Sequence, residues 1–503
     1  MKRNSLLKSV MFGFLSWFLP LGLNFVATPL IVRGLGVEKF GVYTLILGFV
    51  SYSFTFNVGR AIIKYVSEFR ANNETEKISD VVSATLLLNL LVGGAGTTIL
   101  CLFARWFVVS LLQVEEKLQN EAIIGFYFAS VIIFTVMLTQ SFSSIIQALH
   151  RFDVYSYLTI GSTSLLAVGN IVLIKFYPNI ETLLIWNLTL SAIGSLLFYI
   201  YARRLLPELK LTLRFPRKIL VLILKYSLAI VAAQILGNLL LLFERGWIAN
   251  KFGAEAVTYY IIPLNLGIYI HAFISSLTLV LFPLTSEVKS LGDTRKLQTI
   301  YTKATKIVVV LAAFLALTLI NGRVFILHLW LGDDFVRNSA DILAVHAVTF
   351  GFLAVVIISF QTIEGAGFPN VSTAVIFGWV VLSIPLMILL TGNYGVWGAA
   401  AGRLAGEAVF IPAILYIEKK VFGAVLWEFW LRTLPVIACA VLFASLAQMF
   451  LLSRLPLSWI NLLAGVAASG VIFALSLLLT GFLTGNEKQW LKNTFNEKVF
   501  RIT

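Results

Sequence analysis

Apolar runs of about 20 residues alternate with short polar segments along nearly the whole chain. A helix that spans a membrane needs about 20 consecutive apolar residues. The runs between charged breaks predict fourteen spanning helices, the first over residues 10–32 and the last over residues 459–483. The weakest division separates 371–391 from 396–416, which only a short turn joins. The pattern therefore predicts an all-α polytopic membrane protein.

Composition supports this prediction and excludes several classes of protein. Hydrophobic residues make up 59% of the chain and charged residues only 12%, whereas about 25% of the residues in a soluble domain are charged. The first apolar run is too long for the core of a signal peptide, so we expect it to be retained as a span. No polar segment exceeds about twenty residues, which leaves no room for a large catalytic domain.

The sequence contains no pattern typical of an enzyme. It has no nucleophile near a base and no phosphate-binding glycine loop. The two cysteines, Cys101 and Cys439, lie in apolar runs without metal-ligand spacing. We therefore predict no catalytic residues, no metal, no cofactor and no enzymatic activity.

The basic charge of the chain predicts its orientation. The net charge is +14, and cytoplasmic loops of membrane proteins carry an excess of lysine and arginine. With these spans, the side that holds both termini has more than twice as many lysine and arginine residues as the other side. We predict that both termini are cytoplasmic. Because the charge is spread over short loops, nucleic-acid binding is not expected.

Three short motifs occur twice along the chain, in the same order. The pairs are residues 36–43 with 253–260, 65–68 with 284–287, and 147–152 with 364–369. In the first pair, Gly, Glu and Tyr recur at the same spacing. The repeat predicts two six-helix lobes of the same orientation, a known transporter plan. The predicted parts are an N-lobe at 1–202, a basic cytoplasmic linker at 203–218, a C-lobe at 219–416, spans thirteen and fourteen within 417–484, and a cytoplasmic tail at 485–503.

Four segments resemble a known family: residues 29–43, 59–68, 282–287 and 395–402. They are similar to the polysaccharide-biosynthesis, O-antigen-type oligosaccharide flippases of the multidrug/oligosaccharidyl-lipid/polysaccharide (MOP) exporter superfamily, and the resemblance extends over essentially the whole chain. It implies alternating access and transport of an undecaprenyl-pyrophosphate-linked oligosaccharide to the outer leaflet of a bacterial inner membrane, for surface polysaccharide biosynthesis. The expected partners are this lipid-linked oligosaccharide and membrane lipids. The resemblance leaves open a coupling cation, H⁺ or Na⁺, and other polysaccharide-assembly proteins.

Two other functions are consistent with the sequence. The main alternative is a cation-coupled small-molecule or drug exporter of the same superfamily, and a third class is a membrane scaffold or scramblase. By resemblance, drug exporters place an acidic residue in the first span and lipid II flippases place basic residues there. Residues 10–32 contain no charged side chain, and Asn24 is their mid-span polar group.

Basic residues near the cytoplasmic ends of spans are candidates for binding a pyrophosphate. Arg60 and Lys64 are four residues apart, hence on one helix face, with Glu68 one turn further on. Arginine binds phosphate through its planar fork, while lysine acts as a point charge. Lys225 is a second candidate on the same side. The structural alternative is positive-inside anchoring by side chains that reach the interface.

Charged pairs inside other spans suggest gates. Arg403 and Glu407 share a helix face in span twelve and form either a gating group or a buried lock within the second lobe. Glu244 and Arg245 end span seven on the predicted outer side. They would close the outer mouth or receive the headgroup, or form an ordinary interfacial pair of little energy.

Uncharged and titratable polar residues complete the candidate set. His271 lies within span eight and is able to titrate near neutral pH. Asn24 and Asn57 are placed to hydrogen-bond sugar hydroxyls. The alternative for all three is structural, because polar side chains also hold membrane helices together.

Overall fold

The computed structural model describes residues 3–53, 59–71, 74–207, 209, 217–278 and 281–482, and within this part the regular elements are all helical. The α-helices are α1 Arg3–Leu35, α2 Val37–Tyr52, α3 Gly59–Ala71, α4 Thr75–Trp106, α5 Glu116–Ala148, α6 Phe152–Phe176, α7 Ile180–Leu205, α8 Arg217–Thr278, α9 Leu281–Ser290, α10 Thr294–Leu331, α11 Asp333–Gly365, α12 Pro369–Gly406, α13 Phe410–Phe422, α14 Trp427–Arg454 and α15 Trp459–Leu479. A π-helix, Phe107–Leu111, follows α4, and a 3₁₀-helix, Glu407–Val409, follows α12.

Ten helical stretches among the described residues are long and apolar enough to cross a membrane. The prediction of an all-α polytopic membrane protein is thereby confirmed. Two of these stretches, Gln234–Thr278 and Pro369–Phe422, exceed the length that one crossing requires. Of the predicted spans that the ten do not include, the first corresponds to the shorter apolar helix Leu19–Leu35, and the second, over 40–62, lies partly outside the described residues. Fourteen spans therefore remain a prediction.

Each of these two long stretches contains a turn at a glycine. Gly253 in α8 has φ 82° and ψ 174°, and Gly395 in α12 has φ 59° and ψ −146°. Residues with a side chain rarely adopt such a positive φ. A Cβ atom at Gly398 would lie 2.2 Å from the carbonyl oxygen of Leu390. The two arms of α12 therefore pack tightly against each other, where the sequence predicted two spans.

One compact unit comprises Met1–Ile261 and Ile376–Gly402. In it, α5 packs against α4 and α7, and α1 packs against α6. Hydroxyl and amide side chains link these helices, as between Asn89 and Ser141 at 2.7 Å and between Thr135 and Ser191 at 2.7 Å. Such hydrogen bonds hold membrane helices together because lipid offers no polar partner.

The second compact unit comprises Ile262–Val375 and the described chain from Arg403 on. Its α10 packs against α11 and α14, and α14 packs against α15. Its apolar core includes the fully buried Ile274, Leu343 and Ala354. Asn321 of α10 donates a hydrogen bond of 2.8 Å to Ser445 of α14.

The repeated motifs adopt matching local structures. Ser67 donates a hydrogen bond of 3.0 Å from its hydroxyl to the carbonyl oxygen of Ala148. Its counterpart Ser286 donates the same bond, at 3.1 Å, to the carbonyl oxygen of Gly365. Two motif pairs that are far apart in the sequence are therefore joined in the same way in each half of the chain.

Backbone conformation agrees with the repeat as well. Gly36 and Gly253 share a φ of 82° at the start of the helix that each precedes. His150 and Gly367, each two residues beyond its helix, have φ values of 58° and 94°. The repeat thus extends from sequence to local geometry, while the bounds of the two predicted lobes remain a prediction.

Candidate functional site

The basic stripe predicted on span two lies on α3. Lys64 is exposed, and its Nζ lies 4.8 Å from the ring centroid of Tyr65. Glu68 is exposed one turn further on. Arg60 belongs to α3 by its backbone, but its side chain lies outside the described part, and Asn57 lies outside the described residues altogether. The role of the stripe stays a prediction.

For two other candidates, Lys225 and Asn24, the structure describes few contacts of the side chain. Lys225 lies in α8 by its backbone, and its side chain is outside the described part. Asn24 is exposed on α1, and its backbone carbonyl accepts a hydrogen bond of 2.7 Å from the hydroxyl of Thr28. Neither position is brought beside another candidate by a described contact.

Arg245 has the best-defined surroundings of the basic candidates. It lies in the first arm of α8 and is only 5% exposed. Its guanidinium carbon lies 4.8 Å from the ring centroid of Tyr52, and Nη1 donates a hydrogen bond of 3.1 Å to the carbonyl oxygen of Leu241. A Cβ atom at Gly48 would lie 2.9 Å from the Cδ of Arg245. The absence of a side chain at Gly48 therefore makes room for this arginine.

The Nε of Arg245 is buried and has no hydrogen-bond partner among the described residues. A buried donor without an acceptor costs free energy, and more so on a charged group. The cation–π contact with Tyr52 offsets part of this cost. Binding of an anion by this guanidinium stays a prediction. Glu244, its neighbour, is 1% exposed, and pairing between the two stays a prediction.

In the second unit, Arg403 and Glu407 are both almost fully buried, at 2% and 1% exposed. The guanidinium carbon of Arg403 lies 5.1 Å from the ring centroid of Phe350. The positive charge of Arg403 acts on the imidazoles of His271 and His346. The structure therefore places His271 in the neighbourhood of Arg403, a proximity that sequence reasoning did not predict. Neutralisation of Arg403 by Glu407 stays a prediction.

A buried carboxylate that sequence reasoning missed lies on α13. Glu418 is 0% exposed. Its Oε1 accepts hydrogen bonds from the hydroxyl of Tyr301 at 3.0 Å and from the indole N–H of Trp430 at 2.8 Å. Its Oε2 accepts one from the backbone N–H of Leu426 at 2.9 Å. Tyr301 also shares a hydrogen bond of 3.0 Å with Ser359. Glu418 thus connects α10, α11, α13 and the start of α14.

A cavity of about 590 Å³ lies in the second unit between α10, α11, α13 and α14. Its lining is almost entirely apolar and includes Ala316, Leu317 and Leu434, with the hydroxyl of Ser445 as a polar exception. Trp430, which donates to Glu418, also lines the cavity. Among the lining residues Leu434 is 51% exposed, so the cavity is a groove that opens at the surface of this unit.

Ion pairs tie the start of α2 to neighbouring helices. Lys39 pairs with Glu121 of α5 at 2.8 Å, and Glu121 also accepts a hydrogen bond from the backbone N–H of Ile180. Lys117 pairs with Glu38 at 2.8 Å and with Glu115 at 3.0 Å. Hydrogen bonding from the Lys117 ammonium lowers the pKa of the Glu115 carboxyl. Within the described residues, no group of three His, Cys, Asp or Glu side chains is placed to hold a metal ion.

Comparison of the sequence with known proteins gives consistent results. A family model described as "Polysaccharide biosynthesis protein" matches residues 6–289. A Shigella flexneri protein named "Putative O-antigen transporter" is 22% identical over 402 residues, which cover 79% of this chain and 93% of that protein. An uncharacterized membrane protein of Methanocaldococcus jannaschii is 22% identical over 457 residues, covering 85% and 87% of the two chains.

Two solved structures show the same fold. One is the inward-facing conformation of a multidrug resistance MATE family transporter of the MOP superfamily, with a TM-score of 0.71 and 14% identity over 82% of this chain and 98% of that chain. The other is the lipid II flippase MurJ in an inward closed conformation, with a TM-score of 0.70 and 15% identity over 94% of this chain and 99% of that chain. At these identities the likeness concerns the fold alone.

Proposed function

This chain belongs to the polysaccharide biosynthesis protein family and has the fold of MOP-superfamily transporters, and we propose that it flips an undecaprenyl-pyrophosphate-linked oligosaccharide from the inner to the outer leaflet of a bacterial inner membrane. The observation that carries the proposal is the family match over residues 6–289. The proposal places both termini in the cytoplasm, because lysine and arginine are concentrated on the side of the membrane that holds the termini. The product would serve surface polysaccharide biosynthesis.

The two fold matches differ in the share of this chain that they cover. The lipid II flippase covers 94% of this chain, whereas the multidrug transporter covers 82%. Helices α14 and α15 follow the twelve spans of the two predicted lobes. A cation-coupled exporter remains the second candidate, because the two TM-scores are nearly equal at 0.70 and 0.71.

In the proposed cycle the pyrophosphate first meets the basic side chains near the cytoplasm, Arg60 and Lys64 on α3 and Lys225 on α8. It is later received by Arg245, whose buried guanidinium retains an unused donor. Charge-assisted hydrogen bonds to phosphate are about twice as strong as neutral ones, and arginine forms them in pairs. Flipping further requires that the bound substrate favour one arrangement of the lobes over the other.

The hydrocarbon part of the substrate needs an apolar site, and the groove between α10, α11, α13 and α14 suits it. Its volume of about 590 Å³ lies within the range of about 300–1,000 Å³ that is usual for small-molecule sites. Its lining is aliphatic and aromatic. We assign it to a segment of the polyprenyl chain, while the remainder stays in the bilayer.

The first test is genetic complementation. Expression of this chain in a bacterium that lacks its surface-polysaccharide flippase should restore glycan at the cell surface, measured by labelling with a lectin or antiserum. The same strain should gain no resistance to cationic drugs. Resistance without surface glycan, in hosts that supply several different glycans, would replace the flippase with the exporter.

The basic stripe gives the second test. The double substitution of Arg60→Ala and Lys64→Ala should abolish glycan export, because the pyrophosphate loses both cations that attract it from the inner leaflet. The matched control is Arg295→Ala with Lys296→Ala, which removes the same charge from two exposed cytoplasmic-side positions. Surface glycan and membrane abundance are measured together. Undiminished export by the Arg60/Lys64 variant would remove the stripe from the substrate path.

A further inference from the structure

A groove of about 130 Å³ lies between α6 and α7, and both helices belong to the first compact unit. Both are also long and apolar enough to cross a membrane. Of the residues that line the groove, Tyr157 and Leu165 of α6 and Ile193 of α7 are exposed, at 63%, 57% and 47%. The exposed apolar face of α6 continues beyond the groove through Val168 and Val172. The groove therefore opens on a surface of the spans that meets the hydrocarbon of the bilayer.

Two glycines create this groove. Gly161 on α6 and Gly194 on α7 both line it, and no atom lies within 4 Å of the Cβ position of either. Close packing of helices explains Gly169 of α6, because a Cβ atom there would lie 2.1 Å from the Nε1 of Trp186. It does not explain Gly161 or Gly194. A glycine inside a helix costs about 0.5–1 kcal/mol relative to alanine, so the open space at these two positions requires another reason.

The face of α7 that lines the groove carries a basic residue at its end. Along this face the lining residues are three or four positions apart, as from Leu190 to Gly194 and Leu197. The same spacing continues to Tyr201 and Arg204, which places both on the face of the groove. Arg204 is exposed, and its guanidinium carbon lies 5.7 Å from the ring centroid of Tyr201.

The length of this face matches one leaflet of a bilayer. Leu190 and Arg204 are fourteen residues apart, which corresponds to about 21 Å along a helix. Half of a bilayer, with its headgroup region, measures about 20–22 Å. Since α7 ends at Leu205 on the predicted cytoplasmic side, the predicted orientation places the groove in the inner leaflet and Arg204 at the level of the lipid phosphates.

We propose that this groove holds one acyl chain of an anionic phospholipid of the inner leaflet, and that Arg204 binds the phosphate of the same lipid. The acyl chain fills the space that Gly161 and Gly194 leave open, and charge-assisted hydrogen bonds hold the phosphate. Phe198 also lines the groove on α7 and is six residues from Arg204, about 9 Å along the helix. The glycerol and ester groups of the lipid occupy this interval.

Size and charge favour this lipid over other occupants. A volume of about 130 Å³ is well below the roughly 300–1,000 Å³ that is usual for small-molecule sites, so the groove takes a segment of one chain and not a whole ligand. The consecutive residues Arg203 and Arg204 are both exposed. Their positive charge favours an anionic headgroup over a zwitterionic one. The inference does not depend on the proposed function, because the ligand is a lipid of the surrounding membrane.

The first experiment counts bound lipid. Purified full-length chain, freed of lipid in detergent, is mixed with phosphatidylglycerol or phosphatidylcholine and measured by native mass spectrometry. The unmodified chain should hold one phosphatidylglycerol more tightly than any phosphatidylcholine. Arg204→Ala should weaken this binding about tenfold, because it removes hydrogen bonds to a charged group. Gly194→Leu should weaken it as well, since its side chain has room at the Cβ position and occupies the groove.

Two variants serve as matched controls. Arg70→Ala removes an exposed arginine from the last turn of α3, as Arg204→Ala does from that of α7. Gly94→Leu adds a leucine on α4, at a glycine whose Cβ position is equally open. Both should bind phosphatidylglycerol like the unmodified chain. If Arg204→Ala and Gly194→Leu bind it as tightly as these controls do, the inference is overturned.

The second experiment locates the acyl chain. A phosphatidylglycerol with a photoreactive diazirine near the end of one acyl chain is included in phosphatidylethanolamine vesicles that hold the protein, and crosslinked peptides are identified after irradiation. Crosslinks should concentrate in residues 157–165 and 190–198, and Gly194→Leu should remove them. Crosslinks that Gly194→Leu leaves unchanged would contradict the inference.

Two further results would assign the groove to another occupant and would equally overturn the inference. Preferential displacement of the diazirine probe by undecaprenyl phosphate would assign the groove to the transported substrate. Disulfide formation between two copies of the chain at Ile193→Cys, with Cys101 and Cys439 replaced by Ala, would assign it to a protein interface. Neither measurement uses glycan export, so failure of complementation would count only against the proposed function.

Discussion

Glu418→Ala should reduce both the thermal stability of the chain and its abundance in the membrane, more than loss of any exposed carboxylate. The substitution leaves the indole N–H of Trp430 and the backbone N–H of Leu426 without their acceptor. An orphaned buried donor costs about 1–3 kcal/mol, so the two together cost roughly 2–6 kcal/mol. Tyr301 is affected less, because its hydroxyl retains Ser359 as a partner.

The change is measured as the midpoint of thermal unfolding in detergent, followed by size-exclusion chromatography. Glu428→Ala serves as the matched control, because Glu428 pairs with Arg432 on α14 while both side chains are about four-fifths exposed, at 77% and 80%. Such surface pairs contribute about 0–1 kcal/mol. Glu418→Gln should fall between the two, since an amide keeps one acceptor oxygen and turns a donor toward the remaining N–H group. Equal midpoints for Glu418→Ala and Glu428→Ala would show that the network is not stabilising.

Arg245→Ala should abolish or strongly reduce glycan export while the chain remains inserted in the membrane. A hydrogen bond to a charged group contributes about 1.5–3 kcal/mol, so loss of the guanidinium should slow export by about 10- to 100-fold. Arg245→Lys should recover only part of the rate, because a point charge replaces the planar fork. The measurement is the rate at which surface glycan reappears after induction, normalised to the amount of chain in the membrane.

Two further variants separate the role of Arg245 from a general loss of positive charge. Arg454 also lies over an aromatic ring, 4.1 Å from the centroid of Phe450, but it is exposed. Arg454→Ala should therefore leave export unchanged. Gly48→Ala keeps the arginine and pushes it from its place, since the new methyl group meets its Cδ at 2.9 Å. Normal export by both Gly48→Ala and Arg245→Ala would exclude Arg245 from the substrate path.

The helical membrane fold was predictable because apolar runs of spanning length need no knowledge of tertiary contacts. The repeat was predictable as well, since Gly36 and Gly253 mark positions where a positive φ excludes most side chains. The number of spans was harder to settle. Hydropathy divides residues 371–416 into two spans at the turn that contains Gly395. The helical stretch Pro369–Phe422 extends across this turn, so a count by helix length gives one span where hydropathy gives two.

The surroundings of the candidate residues could not be predicted from the sequence. Glu418 directly precedes Lys419 and Lys420, so in the sequence it resembles an ordinary interfacial charge. Its burial depends on donors from α10 and α14. The missing side chain at Gly48 matters because Arg245, nearly two hundred residues later in the chain, packs against it. The hydrophobic periodicity of the sequence does not indicate such contacts, because they arise from the packing of helices that are distant in the chain.

The glycine turns have a practical consequence for work on the intact cell. A single glycine, Gly36, separates α1 from α2, and Gly332 alone separates α10 from α11. At Gly253 and Gly395 a turn with non-helical backbone angles likewise joins two helical arms directly. All four turns belong to the predicted outer side, so proteases and antibodies would find little accessible chain at these turns. Epitope tags and fluorescent proteins are better inserted near residues 291–293, where α9 and α10 are joined by an exposed turn.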